Sequence, residues 1–282
     1  MSPPRGRRSS VAAVVATTAA MAATGRLYPT FRMPPETDTR RIALISDVHG
    51  NLPAFQAVLR AIEDEDVDAV WCLGDLVGYG AQPNECVKLA AQTVDLCLIG
   101  NHDLVVIDKL DISDFSANAA AAAEWTKDVL DADARGYLEK LDSANEEQPL
   151  GLYHASPRDH VWEYVLSSLA ADDCFDDMEP RVGAVGHSHV ALAFWRKGDV
   201  PTAGAQAEPN AQLDISQDRW LLNPGSVGQP RDGDPRASWL LLELESWQAT
   251  WRRAEYPVDD AADAIRAAGL PAQLADRLYY GQ

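Results

Sequence analysis

Trp71 to Gly80 reads WCLGDLVGYG: an apolar run stops at Gly74-Asp75 and sets a single carboxylate into a glycine-rich loop. The chain repeats this pattern. Other apolar runs end in Asp47-Val48-His49, in Asn101-His102-Asp103, in His154 and in His187-Ser188-His189. Of the 6 histidines, only His160 lies outside such a strand end, a distribution that chance placement would not give.

Around these ends the periodicity is that of strand, loop and helix in turn. Arg41 to Ser46, RIALIS, is a short β-branched run suited to a strand buried on both faces. Pro53 fits the first turn of a helix in which Phe55, Val58, Leu59 and Ile62 recur at helical spacing. Ala69 to Leu73 gives the next strand, Pro83 to Ala91 the next helix and Val94 to Ile99 the strand after it. Such units imply right-handed crossovers and a largely parallel sheet, with ligands at the carboxyl ends of its strands. A helical insertion is expected at about 104–147, built on the alanine run Ala119 to Ala123 and a second helix near Ala134 to Leu141. It either packs on the sheet edge or covers the site.

Leu150 to Tyr153 and Val182 to Val185 read as strands that deliver His154 and the His187 motif. Beyond Val190 come strands without helices, at Ala191–Trp195, Arg219–Leu222, Trp239–Leu244 and Ala249–Glu255, which read together as a second sheet. Gly198 to Ser216 reads as a loop or weak hairpin, and helices near Asp259–Ala268 and Pro271–Tyr279 close the chain.

With 282 residues, 46% of them hydrophobic, one large α/β domain over residues 41–282 is expected. The net charge of -19 disfavours a stable nucleic-acid complex; an anionic small substrate requires cations in the site that reverse the local field. No apolar run is long and pure enough to span a membrane. Cys72, Cys86, Cys97 and Cys174 form no CxxC pair and read as reduced core residues, which suits a cytoplasmic protein. Residues 1–40 read as a disordered leader or as a misassigned start, with Met33 the true one. The alternative is export, because residues 1–25 have the basic start and mildly apolar middle of a signal peptide.

Asp47 and His49 stand two apart, as do His187 and His189, so each pair can aim at one centre from a turning loop. Carboxylate and amide oxygens mixed with imidazole nitrogens select Mn, Fe, Zn or Co and argue against a thiolate zinc site. The candidate ligands Asp47, His49, Asp75, Asn101, His154, His187 and His189 are more than one ion needs. Two ions about 3.5–4 Å apart, bridged by a carboxylate and a hydroxide, would use them and suit in-line attack at phosphorus. Taken singly, Asp47 could instead cap the following helix and Asn101 could serve a turn.

The series D-x-H at Asp47 to His49, GDxxG at Gly74 to Gly78, GNHD at Gly100 to Asp103, His154 after a strand, and GHSH at Gly186 to His189 resembles the calcineurin-like metallophosphoesterases. The likeness runs from about Arg41 to Glu255. It implies a four-layer α-β-β-α sandwich of two mixed sheets. It implies that Asp47, His49, Asp75 and His189 hold one metal and Asp75, Asn101, His154 and His187 the other, with Mn the ion most suited to activity. His102 would face the leaving oxygen as general acid, with Asp103 orienting its ring, and Asn101 and His102 would also touch substrate. In the phosphoprotein-phosphatase branch the place of Gly78-Tyr79-Gly80 reads Asp-Arg-Gly, and Glu stands where this chain has Asp103. The chain therefore looks more like the small bacterial phosphodiesterases, which implies hydrolysis of phosphodiester or phosphoanhydride bonds in a small nucleotide-like substrate such as a dinucleoside polyphosphate. A phosphoprotein (Ser/Thr) phosphatase and a non-catalytic scaffold of the same fold are the alternatives; the oligomeric state is left open, with a dimer among the options. Asn223 to Arg231 also resembles that branch; Arg231 either reaches a substrate phosphate or stays at the surface near Asp232 and Asp234.

Because Asp75 is the expected bridge, Asp75→Asn should deplete both metals and Asp47→Asn mainly one. Elemental analysis of metal per chain after dialysis reads the difference.

Overall fold

The computed structural model describes residues 41–282. The expected leader lies outside the described residues. The strands are β1 (Arg41–Ile45), β2 (Ala69–Cys72), β3 (Leu96–Cys97), β4 (Ala144–Asn145), β5 (Gly151–Tyr153), β6 (Val182–Val185), β7 (Ala191–Arg196), β8 (Ala203–Gln206), β9 (Gln212–Asp214), β10 (Arg219–Pro224), β11 (Ala237–Glu243) and β12 (Gln248–Ala254). The helices are α1 (Leu52–Glu63), α2 (Pro83–Thr93), α3 (Asn101–Val106), α4 (Ala117–Val129), α5 (Ala132–Leu138), α6 (Ser168–Asp177), α7 (Val258–Ala267) and α8 (Ala272–Asp276).

Two mixed sheets of six strands result, ordered β3-β2-β1-β11-β12-β9 and β4-β5-β6-β10-β7-β8. Strand alternation distributes their side chains into layers. Ile42 and Leu44 point between the sheets, where they meet Leu152, Ala184, Leu222, Leu240 and Trp251. Ala43 and Ile45 point outward, under Phe55 and Val58 of α1 and Ala262 and Ile265 of α7. On the far side, Tyr153, Val185 and Leu221 pack under Ala171, Cys174 and Phe175 of α6. This is the four-layer sandwich expected from the motifs.

Three local readings need correction. The strands after Val190 do not make one sheet: β7, β8 and β10 join the sheet begun by β4 to β6, whereas β9, β11 and β12 complete the first. β11 is inserted antiparallel to β1, with Leu44 opposite Leu240. A pairing across that much sequence leaves no mark on local periodicity. Second, Gly198 to Ser216 is no hairpin, because β8 pairs with β7 and β9 with β12. Third, α6 was not expected; only Ala171, Cys174 and Phe175 of its ten residues are buried, too few to give a clear helical stripe. The span 104–147 holds α4 and α5, and also β4, which borders β5.

The four cysteines are unpaired. Among the described residues no helix is long and apolar enough to cross a membrane. Leu44, with no exposed surface between the sheets, tests the layer assignment. Leu44→Ala should lower unfolding stability by about 2–5 kcal/mol, read from the denaturant midpoint.

Candidate metal centre

The ladder of β1 and β2 continues past the strand ends into their loops. Asp47 N–H donates to the Gly74 carbonyl (3.0 Å), His49 N–H to Asp75 (2.9 Å) and Gly50 N–H to Leu76 (2.9 Å). The Asp47 and Asp75 motifs are thereby locked side by side. From the second sheet, His187 N–H reaches the Asp47 carboxylate at 3.1 and 3.2 Å. His102 N–H donates to Asp75 Oδ1 at 2.9 Å. Asn51, and not Asp47, caps α1, accepting from Ala54 N–H at 3.2 Å.

Asp47, His49, Asp75, His187 and His189 all have positive φ, between 49° and 63°. Such backbone costs about 1–3 kcal/mol per non-glycine residue and persists where surrounding structure enforces it. Here it turns both members of Asp47/His49 and of His187/His189 inward. Gly100 is required for another reason: a Cβ there would collide with Asp75 Oδ1 and with the His154 ring.

The donor atoms converge. His49, Asp47 and His189 form one group, and Asp75, His154 and His187 another, each with its ligand atoms within 4.8 Å of one another. Asp75 Oδ2 lies 3.6 Å from both His49 Nε2 and His154 Nε2, between the two groups. Asn101 Oδ1 stands 3.2 Å from His154 Nε2. All seven expected ligands are brought together and buried.

Backbone carbonyls fix the imidazoles. Nδ1 of His49 donates to Val77 O (2.9 Å), Nδ1 of His154 to Leu73 O (2.8 Å) and Nδ1 of His189 to Gln229 O (2.7 Å). Since a carbonyl only accepts, each Nδ1 carries the proton and each Nε2 presents a lone pair inward, the arrangement typical of histidine ligands. His49 Nε2 and His189 Nε2 then face each other at 3.0 Å, lone pair against lone pair. Asp75 Oδ2 and His187 Nε2 are buried without a hydrogen-bond partner. The donor set fits metal ions and is poorly satisfied otherwise.

Burial pushes Asp47 up to about 7 and Asp75 well above the usual carboxylate range, with the neighbouring carboxylates adding to both. Burial holds His49, His102, His187 and His189 well below the usual imidazole value, so they stand neutral.

His102 differs from the ligands. Its ring lies near His49 and Asp75, yet Nδ1 has no hydrogen-bond partner and packs against Gly78, where a Cβ would strike it. Tyr79 and Phe115 flank it, each with centroids at 4.4 Å. Asp103 departs from its expected role: its carboxylate accepts backbone N–H groups of Val77 (3.0 Å), Gly100 (3.1 Å) and Leu76 (3.3 Å). It ties the Asp75 loop to the start of α3 and does not hold the His102 ring. Arg231 turns toward the site, donating to Gln229 Oε1 (2.8 Å) and Tyr79 Oη (3.3 Å). Asp232 is paired with Arg253, and Asp234 with Arg236.

Four contributors were not legible beforehand. Gln229 acts through its backbone carbonyl, which has no side-chain signature. Phe115, Trp162 and Tyr164 sit in irregular segments and reach the histidines only through the fold. The stretch Asn223 to Gln229, noted in the sequence, proves to be the strap between sheets. Gly228 N–H and Ser226 Oγ–H both donate to the Asp47 carbonyl (2.9 and 2.8 Å), and Asn223 Nδ2 donates to Gly186 O (2.7 Å).

Two six-stranded sheets with oxygen and imidazole donors gathered at their strand ends define a metallophosphoesterase. A sequence profile for the calcineurin-like phosphoesterase superfamily domain matches residues 41–246, and the chain belongs to that superfamily and is a phosphoesterase. It is similar to a metallophosphoesterase from Sphaerobacter thermophilus of known crystal structure, with 38% identity, a TM-score of 0.79, and coverage of 87% of this chain and 100% of that one. An uncharacterised protein of Methanocaldococcus jannaschii is 37% identical over 246 residues, 86% of this chain and 98% of that protein. A symmetrical bis(5'-nucleosyl)-tetraphosphatase of Vibrio cholerae is 29% identical over 139 residues, 46% of this chain and 49% of that protein.

In metal-free protein, Asp47→Asn is expected to raise the melting temperature, and by more at pH 8 than at pH 5.5. The folded pKa of about 7 exceeds the usual 3.8, so the stability linked to Asp47 is full below the usual value and lost as pH rises through about 7. Asn escapes that loss, worth at most about 4 kcal/mol at pH 8. A stabilisation independent of pH would count against an uncompensated buried carboxylate.

Proposed function

We propose that the chain hydrolyses phosphodiester or phosphoanhydride bonds of small nucleotide-like substrates at a two-metal centre. Asp47, His49, Asp75 and His189 would hold one ion, and Asp75, Asn101, His154 and His187 the other. What carries this reading is the convergence of the Nε2 atoms of His49 and His154 on the unpartnered Asp75 Oδ2, each at 3.6 Å. Ions such as Mn²⁺ bound there would polarise the phosphoryl oxygens and supply a nucleophile at neutral pH.

The protein's own groups account for the rest. Asp75 serves both positions because the Asp47 loop and the His102 backbone hold it from opposite sides. Arg231, with Gln229 and Tyr79 fixing its guanidinium, is placed to take phosphoryl oxygens through its paired N–H groups. His102 stands free of any carbonyl and is available to protonate the leaving oxygen. In that role it needs the negative charge of the substrate beside it, since burial and the Arg231 guanidinium disfavour its protonated form. The partial likeness to a bis(5'-nucleosyl)-tetraphosphatase supports a nucleotide-like substrate, and Tyr79 in place of an arginine speaks against a phosphoprotein.

With Mn²⁺ present, turnover should be greater on a dinucleoside polyphosphate or a nitrophenyl diester than on a phosphopeptide; preference for the phosphopeptide would overturn this substrate class. His102→Ala should lower turnover by roughly 10²- to 10⁴-fold on an alkyl ester, the usual share of general acid catalysis, and by less on a nitrophenyl ester. Equal losses on both would remove His102 from the acid role.

A further inference from the structure

An arc of aromatic rings borders the metal donors. On one flank, Tyr79 and then Phe115 pack on the His102 ring, and Trp162 meets Phe115 edge to face at 5.8 Å. On the other, Tyr164 stacks on His187 with centroids 4.0 Å apart and planes inclined by 26°. Trp162 and Tyr164 come from one segment, between β5 and α6, so this short stretch joins the two flanks.

Tyr79 and Phe115 pack against the edge of the core. Phe115 and Trp162 are half-buried, and Tyr164 is 48% exposed. One face of Tyr164 covers His187, and about half of the residue remains accessible to solvent. Arg231 lies over the Tyr79 ring at 5.7 Å, which places a phosphate-matching cation at the edge of an aromatic surface. A ligand with an anionic head and a flat ring would meet the cation and donors with the first and the exposed ring faces with the second. Stacking on such faces tolerates any planar ring and is the usual way proteins hold bases without reading their edges.

We propose that Tyr164 on one flank, with Phe115 and Trp162 on the other, forms an aromatic clamp that selects phosphoesters whose alcohol carries a planar ring, a nucleobase or an aryl group. The clamp rests on the phosphoesterase reading above and sharpens its substrate class. It sets specificity on the leaving-group side, because Phe115 covers the histidine assigned to the leaving oxygen.

The test uses ligands with a P–C bond, which the reaction cannot cleave. Affinities of Mn²⁺-loaded protein for methylphosphonate, cyclohexylphosphonate and phenylphosphonate are measured by calorimetry. Phenylphosphonate should bind about 2- to 12-fold more tightly than its cyclohexyl counterpart, the range that aromatic pairing adds beyond area. Tyr164→Ala and Trp162→Ala should each shrink that ratio, and Tyr164→Phe should keep it. Tyr164 is exposed enough for its substitution to leave folding intact should Trp162→Ala fail to fold. Methylphosphonate binding without any phenyl preference overturns the clamp and leaves the phosphoesterase reading standing, as does a ratio unchanged by both alanine variants. Absence of metal-dependent binding by all three ligands overturns both.

Discussion

Two buried carboxylates, Asp47 and Asp75, stand where, among the described residues, no Lys or Arg side chain forms an ion pair with them, and much of the molecule is arranged around keeping them there. A buried, unpaired carboxylate is among the least favourable groups a fold can hold, and it persists only where something else compensates. Here the backbone N–H groups of His102 and His187 take part of the charge, and inward lone pairs of imidazoles occupy the remaining approach. A cation between them would turn each repulsion into a bond. The positive-φ residues, the glycines under Asp75 and His154, and the strap at Asn223 to Gln229 are all means of holding acceptors together against their mutual repulsion.

The two sheets divide that work. The first supplies Asp47, His49 and Asp75 from adjoining parallel strands, so their loops share hydrogen bonds and are fixed relative to each other by the ladder itself. The second supplies His154, His187 and His189, likewise from the ends of neighbouring parallel strands. The inter-sheet core of Leu44, Leu152, Leu222, Leu240 and Trp251 sets the distance between these groups. Trp251 links core and site directly, since its Nε1–H donates to Asn223 O at 2.9 Å.

Asp103 shows how a residue can be right in place and different in role. Its position in GNHD suggested a partner for the His102 ring, but a carboxylate one residue along a helix points to another face. It meets the N–H groups of Leu76, Val77 and Gly100 instead. Its work is to hold the Asp75 loop against the start of α3. His102 is left positioned by its backbone bond to Asp75 and by the rings of Tyr79 and Phe115.

The sequence by itself determined the strand-loop-helix rhythm, the seven donors and the glycines that let them approach, because each is a local pattern of a few residues next to a hydrophobic run. It also carried the likeness that implied a four-layer sandwich. Tertiary structure alone decided which strands share a sheet, as with β11 beside β1, because ladder pairing joins residues far apart and leaves no periodic trace. It alone decided that carbonyls of Leu73, Val77 and Gln229 set the imidazole tautomers, since every residue has a carbonyl and none announces its direction. And it alone gathered Phe115, Trp162 and Tyr164 at the rim of the site, from irregular segments whose sequence shows three scattered rings and whose fold makes them one surface.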